Sequence, residues 1–403
     1  MIYETLFCGI DISKDKHDIA VLNKEKRQVY KPFVIQESHE GYLFLLEKFN
    51  WLQDKYQTRQ FLIGMEATGD YWKNLYHFLS GQPNGYVVSV INPYQTRAYA
   101  NSELRRAKTD PVEARDIARF MIEKTPPATK QASPVFDSIK DLDRQIYAVK
   151  KQKSMTINKL RVELSKVAPE IEKEFRQIGR RQILAVLEQF PTSQVINAAS
   201  VKEIAEVRFG IRQWRIPLIL AKRVKFLVRN SIAYKTGPGA GLAVQSLVRR
   251  ILESQFEIER LENQITSLYE NFKEQDSILS SIYGIGFETA IALEAYIGDV
   301  NRFSNSKKLV AYFGMNPTIC QSGKSLKRKS RLQKKGNAIV RHKLYLAVFC
   351  IIGRKKGPLY KYYTRLVDAG KPKMVAMGAT MRKLLVVIYA MLKNQEIYDP
   401  EKL

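Results

Sequence analysis

Leu6-Phe-Cys-Gly-Ile-Asp-Ile-Ser-Lys-Asp15 decides how the rest of the chain reads. An apolar run of strand-forming residues carries Asp11 into its middle and breaks at Ser13-Lys14-Asp15. A second run, His17-Asp-Ile-Ala-Val-Leu22, follows after a tight connection. The pattern predicts a β-hairpin whose first strand holds a carboxylate where a core residue would otherwise sit. A half-buried Asp needs a partner, and a metal ion is one of the few good ones. The competing reading is a turn Asp capping its own backbone, but the turn comes two residues later.

Outward from the hairpin, residues 1–125 alternate strands and helices. Lys31-Pro-Phe-Val-Ile-Gln36 reads as a third strand. Ser38–Tyr56 reads as a helix capped by Ser38, with Leu43, Leu46, Phe49 and Leu52 on one face. Gln60–Glu66 is a fourth strand ending in a carboxylate, Asp70–Leu79 a helix and Tyr86–Ile91 a fifth strand. Pro93 opens a short helix, and Asp110–Lys124 is another, with Pro111 in its first turn. Three antiparallel strands, a helix, then strand–helix–strand–helix is the element order of a ribonuclease H-like (RuvC-like) fold.

After Thr125-Pro-Pro-Ala-Thr, a linker-like run, the chain changes character. Ile139, Leu142, Ile146 and Val149 follow coiled-coil spacing, continued through Ile157, Leu160, Leu164 and Val167. A second seam runs through Val244, Leu247, Ile251, Ser254, Ile258, Leu261, Ile265, Leu268 and Phe272. Two such helices can pair with each other or with another subunit. The predicted architecture is α/β plus α: a nuclease-like domain at 1–128, a helical coiled-coil middle at 129–275 with a basic helical insert over roughly 170–240, and a mostly α-helical rear domain at 276–403.

The chain has 403 residues and a net charge of +26, which implies a polyanionic partner. From Gln321 to Leu403 there are 20 Lys+Arg against 4 Asp+Glu, so +16 of the surplus sits in that last fifth. The apolar runs Leu344–Ile352 and Leu384–Leu392 are shorter than a bilayer span and read as core helices, so no membrane partner is expected. Cys8, Cys320 and Cys350 form no paired motif, which leaves disulfide and zinc frameworks unsupported. Glu4 interrupts the apolar start, so no signal peptide is read and a cytoplasmic protein is expected.

Four acidic positions group together. Asp11 lies on the first strand, Glu66 ends the fourth, and Asp110 and Glu113 share a face at a helix start. In the ribonuclease H-like order these elements converge at one sheet edge, where carboxylates bind Mg²⁺ or Mn²⁺ and polarise a phosphodiester. In isolation Asp110 and Glu113 are equally readable as a cap and a capping box; Asp116 and Asp15 are reserves. In the rear, Tyr283-Gly-Ile-Gly286 is similar to a helix-hairpin-helix turn, with Gly284 and Gly286 aiming backbone N–H groups at a DNA phosphate. A basic track, Lys324, Lys327, Arg328, Arg331, Lys334 and Lys335, suits nucleic acid. Ser322 in that loop is a candidate nucleophile, which composition alone does not separate from Ser325 or Ser330.

Taken in order, Gly9-Ile-Asp-Ile-Ser-Lys14, Met65-Glu-Ala-Thr-Gly69, Ile91-Asn-Pro93, Lys108-Thr-Asp110, Ile282–Gly286, Phe303, Ala311-Tyr-Phe-Gly314, Pro317, Ser322-Gly323 and Lys335-Gly-Asn337 resemble the insertion-sequence transposases with a four-acidic DEDD domain, relatives of pilin-gene invertases understood as bridge-RNA-guided recombinases. The resemblance implies a metal-binding front domain, a coiled coil for assembly, and a rear transposase domain whose serine forms a 5′-phosphoserine link. It also implies donor and target DNA and a structured guide RNA as partners, and a dimer assembling to a tetramer. Its acidic positions fall on Asp11, Glu66 and Asp110, and its serine on Ser322. Its fourth acid is normally Asp; here Glu113 stands there, one methylene longer, with Asp116 as the alternative. Two other readings remain: a Holliday-junction-type nuclease using water, and a non-catalytic nucleic-acid-binding protein.

Overall fold

The computed structural model describes residues 3–83, 86–102, 110–130, 133–235, 237–270, 277–318, 321–322, 326–327, 331–333 and 336–402. The chain divides into two compact units, Met1–Gln131 and Ala132–Leu403.

The first unit follows the predicted order: β1 (Thr5–Ile12), β2 (Lys16–Leu22), β3 (Gln28–Gln36), α1 (His39–Tyr56), β4 (Gln60–Glu66), α2 (Trp72–Ser80), β5 (Val87–Ile91), α3 (Pro93–Ser102) and α4 (Asp110–Lys124). Its sheet is mixed, in the order β3-β2-β1-β4-β5, with β1–β2 and β2–β3 antiparallel and β1–β4 and β4–β5 parallel. Ser38 caps α1 by accepting from the Gly41 N–H at 3.1 Å, a contact typically worth about 1 kcal/mol. The buried face of α1 is Tyr42, Leu45, Phe49 and Leu52. The expected Leu43 is exposed and Leu46 only partly buried, because a strict three-residue step drifts around a 3.6-residue helix, whereas the 3-4-3 spacing of Tyr42, Leu45, Phe49 and Leu52 holds one face. Phe49 stacks on Phe61 of β4 at 4.7 Å between ring centroids.

Two glycines decide where α4 lies. Gly9 and Gly64 face each other in the β1–β4 ladder. A Cβ on Gly9 would sit 2.0 Å from the Ala114 carbonyl oxygen and 2.4 Å from the Ala118 nitrogen; one on Gly64 would meet Met121 Cγ at 2.6 Å. Missing side chains on adjacent strands make a trough, and α4 lies in it against the sheet.

The second unit begins with α5 (Pro134–Val167) and then a helical run: α6 (Pro169–Glu174), α7 (Arg181–Gln189), α8 (Ser193–Ala198) and α9 (Val201–Glu206). A small hairpin follows, β6 (Arg208–Phe209) with β7 (Trp214–Arg215), then α10 (Leu218–Leu227) and α11 (Pro238–Glu270). The two long helices pair antiparallel within one chain. Ile139 and Ile146 share a core with Ile258, Leu261, Ile265 and Tyr269, while Leu160, Leu164 and Val167 share another with Val244, Val248 and Ile251. Along α11 the buried positions include Val248 and Tyr269 in place of the expected Leu247 and Leu268, because α7 and α12 (Phe287–Ile297) also pack on this helix. Phe272 lies outside the described residues.

The rear portion continues with α13 (Ser306–Tyr312), the short strands β8 (Pro317–Thr318), β9 (Gln321–Ser322), β10 (Leu326–Lys327) and β11 (Arg331–Leu332), and the helices α14 (Ala338–Arg354), α15 (Pro358–Asp368) and α16 (Lys373–Asn394). By length and composition α16 is apolar enough to cross a bilayer, a feature the shorter run within it did not suggest. Yet 56% of its most apolar window is buried, and it packs in one core with Leu279, Leu293, Leu344 and Val348.

Candidate active site

Asp11 is half-buried near the end of β1. The β1–β4 ladder runs to Ile10–Met65, so Glu66 lies one step beyond, beside Asp11. Across the other edge Asp11 faces Asp18 of β2 directly. The trough under α4 places the helix's first turn, with Asp110 and Glu113, within electrostatic reach. Burial, then the charges of Glu113, Glu66, Asp110 and Asp18, push the Asp11 carboxyl up to about 7. The front carboxylates named from sequence therefore surround one group. Glu113 is the neighbouring charge with the largest effect on Asp11, whereas the buried Asp116 is bridged to Arg119 at 3.4 Å.

Asp18 is the residue that sequence reading missed. It is only 5% exposed, and its carboxyl is raised chiefly by burial, against the opposing pull of Lys16. The signal was present: a tight connection after Ile12 fixes the register that sets 18 opposite 11. Two like charges opposite each other in a ladder are unfavourable unless a cation lies between or beside them.

Lys16 is such a cation. Its ammonium lies 3.3 Å from Asp110 Oδ2 and 3.8 Å from Asp18 Oδ2. Glu66 is turned toward other partners, accepting from the hydroxyls of Thr96 and, at 3.4 Å, Thr68. Among the described residues, no three His, Cys, Asp or Glu side chains are gathered closely enough to hold a metal ion as they stand. The donor set nevertheless fits one: it is all oxygen and carries several negative charges, and burial together with those charges raises the central carboxyl.

In the rear, Gly284 has φ of +89°, and a Cβ there would meet the Ala347 carbonyl oxygen at 2.8 Å. Its conformation serves close packing on α14. Gly286 is the N-cap of α12, with open space where a side chain would be; the element before it is a single 3₁₀ turn, Ile278–Ser281. Glu288 in the first turn of α12 places a negative charge where a phosphate would approach. Ser322 sits in the β9–β10 ladder, paired with Leu326, inside an outer ladder of β8 and β11. Lys327 and Arg331 also lie on these strands, while Lys324, Arg328, Lys334, Lys335 and Cys320 fall outside the described residues.

A clamp closes the base of this double hairpin. The Gln333 N–H donates to the Asn316 carbonyl at 2.9 Å, and the Arg341 guanidinium donates to the carbonyls of Phe313 at 3.2 Å and Gly336 at 2.8 Å. Asn337 caps α14 by accepting from the Ile339 and Val340 N–H groups.

Two family models match the chain. A DEDD-type model described as a transposase matches residues 8–169, the stretch that carries Asp11, Glu66, Asp110 and Glu113. A second, described as the transposase IS116/IS110/IS902 family, matches residues 276–364, the stretch that carries Ser322. The front and the rear of the chain are thus each similar to insertion-sequence transposases of the IS110/IS116 type. Relatives of the chain include the pilin gene-inverting protein of Moraxella lacunata, 25% identical over 98% of this chain and 97% of that protein. An uncharacterized 43.6 kDa protein of insertion element IS110 from Streptomyces coelicolor is 25% identical over 78% of each chain. Similarity to transposases suggests a DNA-cleaving and DNA-recombining enzyme, and the DEDD match suggests divalent metal use and a ribonuclease H-like front domain. Residues 170–275 lie between the two models.

Proposed function

We propose that this chain is an insertion-sequence transposase that cuts and exchanges DNA strands through a covalent 5′-phosphoserine at Ser322, assisted by a divalent cation held by Asp11, Glu66, Asp110 and Glu113 in a ribonuclease H-like front domain. The observation that carries the reading is the group of carboxylates around the half-buried Asp11, where burial and the neighbouring charges raise it to about 7, in a chain whose front and rear both match transposase models. A bound Mg²⁺ or Mn²⁺ supplies charge neutralisation at a phosphodiester and lowers the pKa of an oxygen nucleophile. The residues do the rest. Asp11 and its neighbours present oxygen donors. Lys16, on Asp110 and Asp18, is the counter-charge that would have to give way if a cation were held there. The Ser322 oxygen forms the bond to phosphorus, the 3′ oxygen leaves with a proton, and the serine proton passes to solvent or to a neighbouring base. The reverse attack by a 3′ hydroxyl of the partner strand restores Ser322.

Relatives bearing the name of pilin gene inversion support exchange between two sites over simple cutting. We extend the proposal to a guide RNA from the element's own flank, which supplies target specificity by base pairing, to a homo-oligomer that assembles on donor and target DNA, and to action at the nucleoid. The +26 charge suits a protein that neutralises the phosphates of several nucleic acids at once. The deciding experiment traps a protein–DNA adduct after denaturation. An adduct formed by the native chain and lost in Ser322→Ala and Asp11→Asn supports the reading. Cleavage that persists in Ser322→Ala overturns the serine and leaves a water-using nuclease.

A further inference from the structure

Residues 207–252 contain ten Lys and Arg and no Asp or Glu, and they fall in the stretch matched by neither family model. Part of that charge is used inside the fold. Arg223 pairs with Glu174, Lys235 with Glu163 and Arg249 with Glu188. Lys225 donates to the carbonyls that end α8, including Ala199 at 2.7 Å. Arg208, Arg212, Arg215, Lys222, Arg229 and Arg250 make no ion pair with any described carboxylate.

Two features go beyond a solvated face. Arg208 and Arg215 stand directly opposite each other in the β6–β7 ladder, an arrangement that costs stability unless an anion bridges them. Large apolar side chains are also left in water: Trp214 on the hairpin is 58% exposed, and Ile219 and Phe226 on α10 are 83% and 73% exposed. The buried side of α10 is Ala221 and Val224. Its outward stripe therefore alternates apolar and basic by the turn, Ile219, Lys222 and Phe226, over about 10 Å of helix. A second copy of this chain would bring the same positive field to the patch and is repelled.

We propose that the β6–β7 hairpin and the outer stripe of α10 bind single-stranded nucleic acid, with phosphates at Arg208, Arg215 and Lys222 and bases stacked on Trp214 and Phe226. Exposed ring faces choose the single strand: in a duplex the base faces are covered, and only the arginines would have a partner. The binding holds whichever residue attacks DNA, so it stands apart from the serine reading.

The test uses the full-length protein and 5-bromouracil-substituted 20-mers of RNA and of DNA, single-stranded and as duplex. Ultraviolet cross-links are mapped by mass spectrometry, which isolates this patch from the basic rear of the chain. Cross-links at Trp214 or Phe226 with a single strand, competed poorly by duplex, support the proposal; the better of the RNA and DNA arms names the source of the strand. Trp214→Ala/Phe226→Ala is expected to reduce that cross-linked yield roughly ten-fold. Arg208→Ala/Arg215→Ala is expected to lower the slope of log affinity against log salt by about 1.4, with unchanged circular dichroism. No cross-link within residues 207–234, equal competition by duplex, or a surface that both variants change only by altering the oligomeric state would overturn it.

Discussion

Asp11→Asn is expected to stabilise the metal-free protein while destroying its response to metal. Asp11 rises from an ordinary 3.8 to about 7 in the folded chain. Each unit of difference is about 1.4 kcal/mol, so the full shift is worth about 4.5 kcal/mol; Asp11 is only half-buried, and solvent screening brings this to roughly 2–3 kcal/mol. The sign follows from linkage. A carboxyl whose folded pKa is raised contributes no penalty below its unfolded value, and stability is lost as pH rises from about 4 to 7. In chelator at pH 8 the variant should therefore melt above the native chain, by roughly 5–10 °C for a unit of this size, and the gap should close toward pH 4. Added Mg²⁺ or Mn²⁺ should raise the native melt by an amount that grows with concentration, and leave the variant unmoved. The chain has three tryptophans, Trp51, Trp72 and Trp214, so a Trp214→Phe background makes fluorescence report the first unit alone. A chelator gap that stays constant from pH 5 to pH 8 would refute the electrostatic account of Asp11.

Three further outcomes test the packing around the sites. Gly9→Ala puts a methyl 2.0 Å from the Ala114 carbonyl and should cost about 3 kcal/mol or more in the melt of the first unit. Lys343 holds the buried Asp143 at 2.8 Å; Lys343→Met should cost roughly 3–5 kcal/mol by stranding that charge, and Asp143→Asn in the same chain should recover part of it in urea unfolding. Gly336 sits at φ +147°, with a would-be Cβ 2.5 Å from the Tyr312 carbonyl, so Gly336→Ala should open the clamp under Ser322; faster hydrogen exchange at Gln333 without a large drop in melting temperature is the expected signature.

Much of the first unit was legible, because each strand boundary carried its own mark: Ser13-Lys14-Asp15 broke the first, and Ser38 and Pro111 opened helices. What stayed hidden lies where position matters more than residue type. Gly9 and Gly64 look like weak points in strands, and periodicity counts side chains they do not have; only the register that pairs them reveals the trough. Asp18 escaped for the same reason, since its meaning comes from standing opposite Asp11. The helical seams were read correctly as pairing surfaces, but nothing in a heptad says that the partner lies in the same chain. The rear ladders, two residues each, are too short to carry any alternation, and Ser322 emerged from a family pattern rather than from its neighbours.

The antiparallel pair of α5 and α11 has a mechanical consequence. With 34 and 33 residues, each helix is about 50 Å long. One end is buried among the helices that carry the basic hairpin, and the other against Ile291 and Ala295 of α12. The pair is thus a strut of fixed length, held by a core at either end. Removing one heptad from each helix would shorten it by about 10 Å and leave the seam in phase, so evolution can change the reach of this molecule without rebuilding either of the cores it joins.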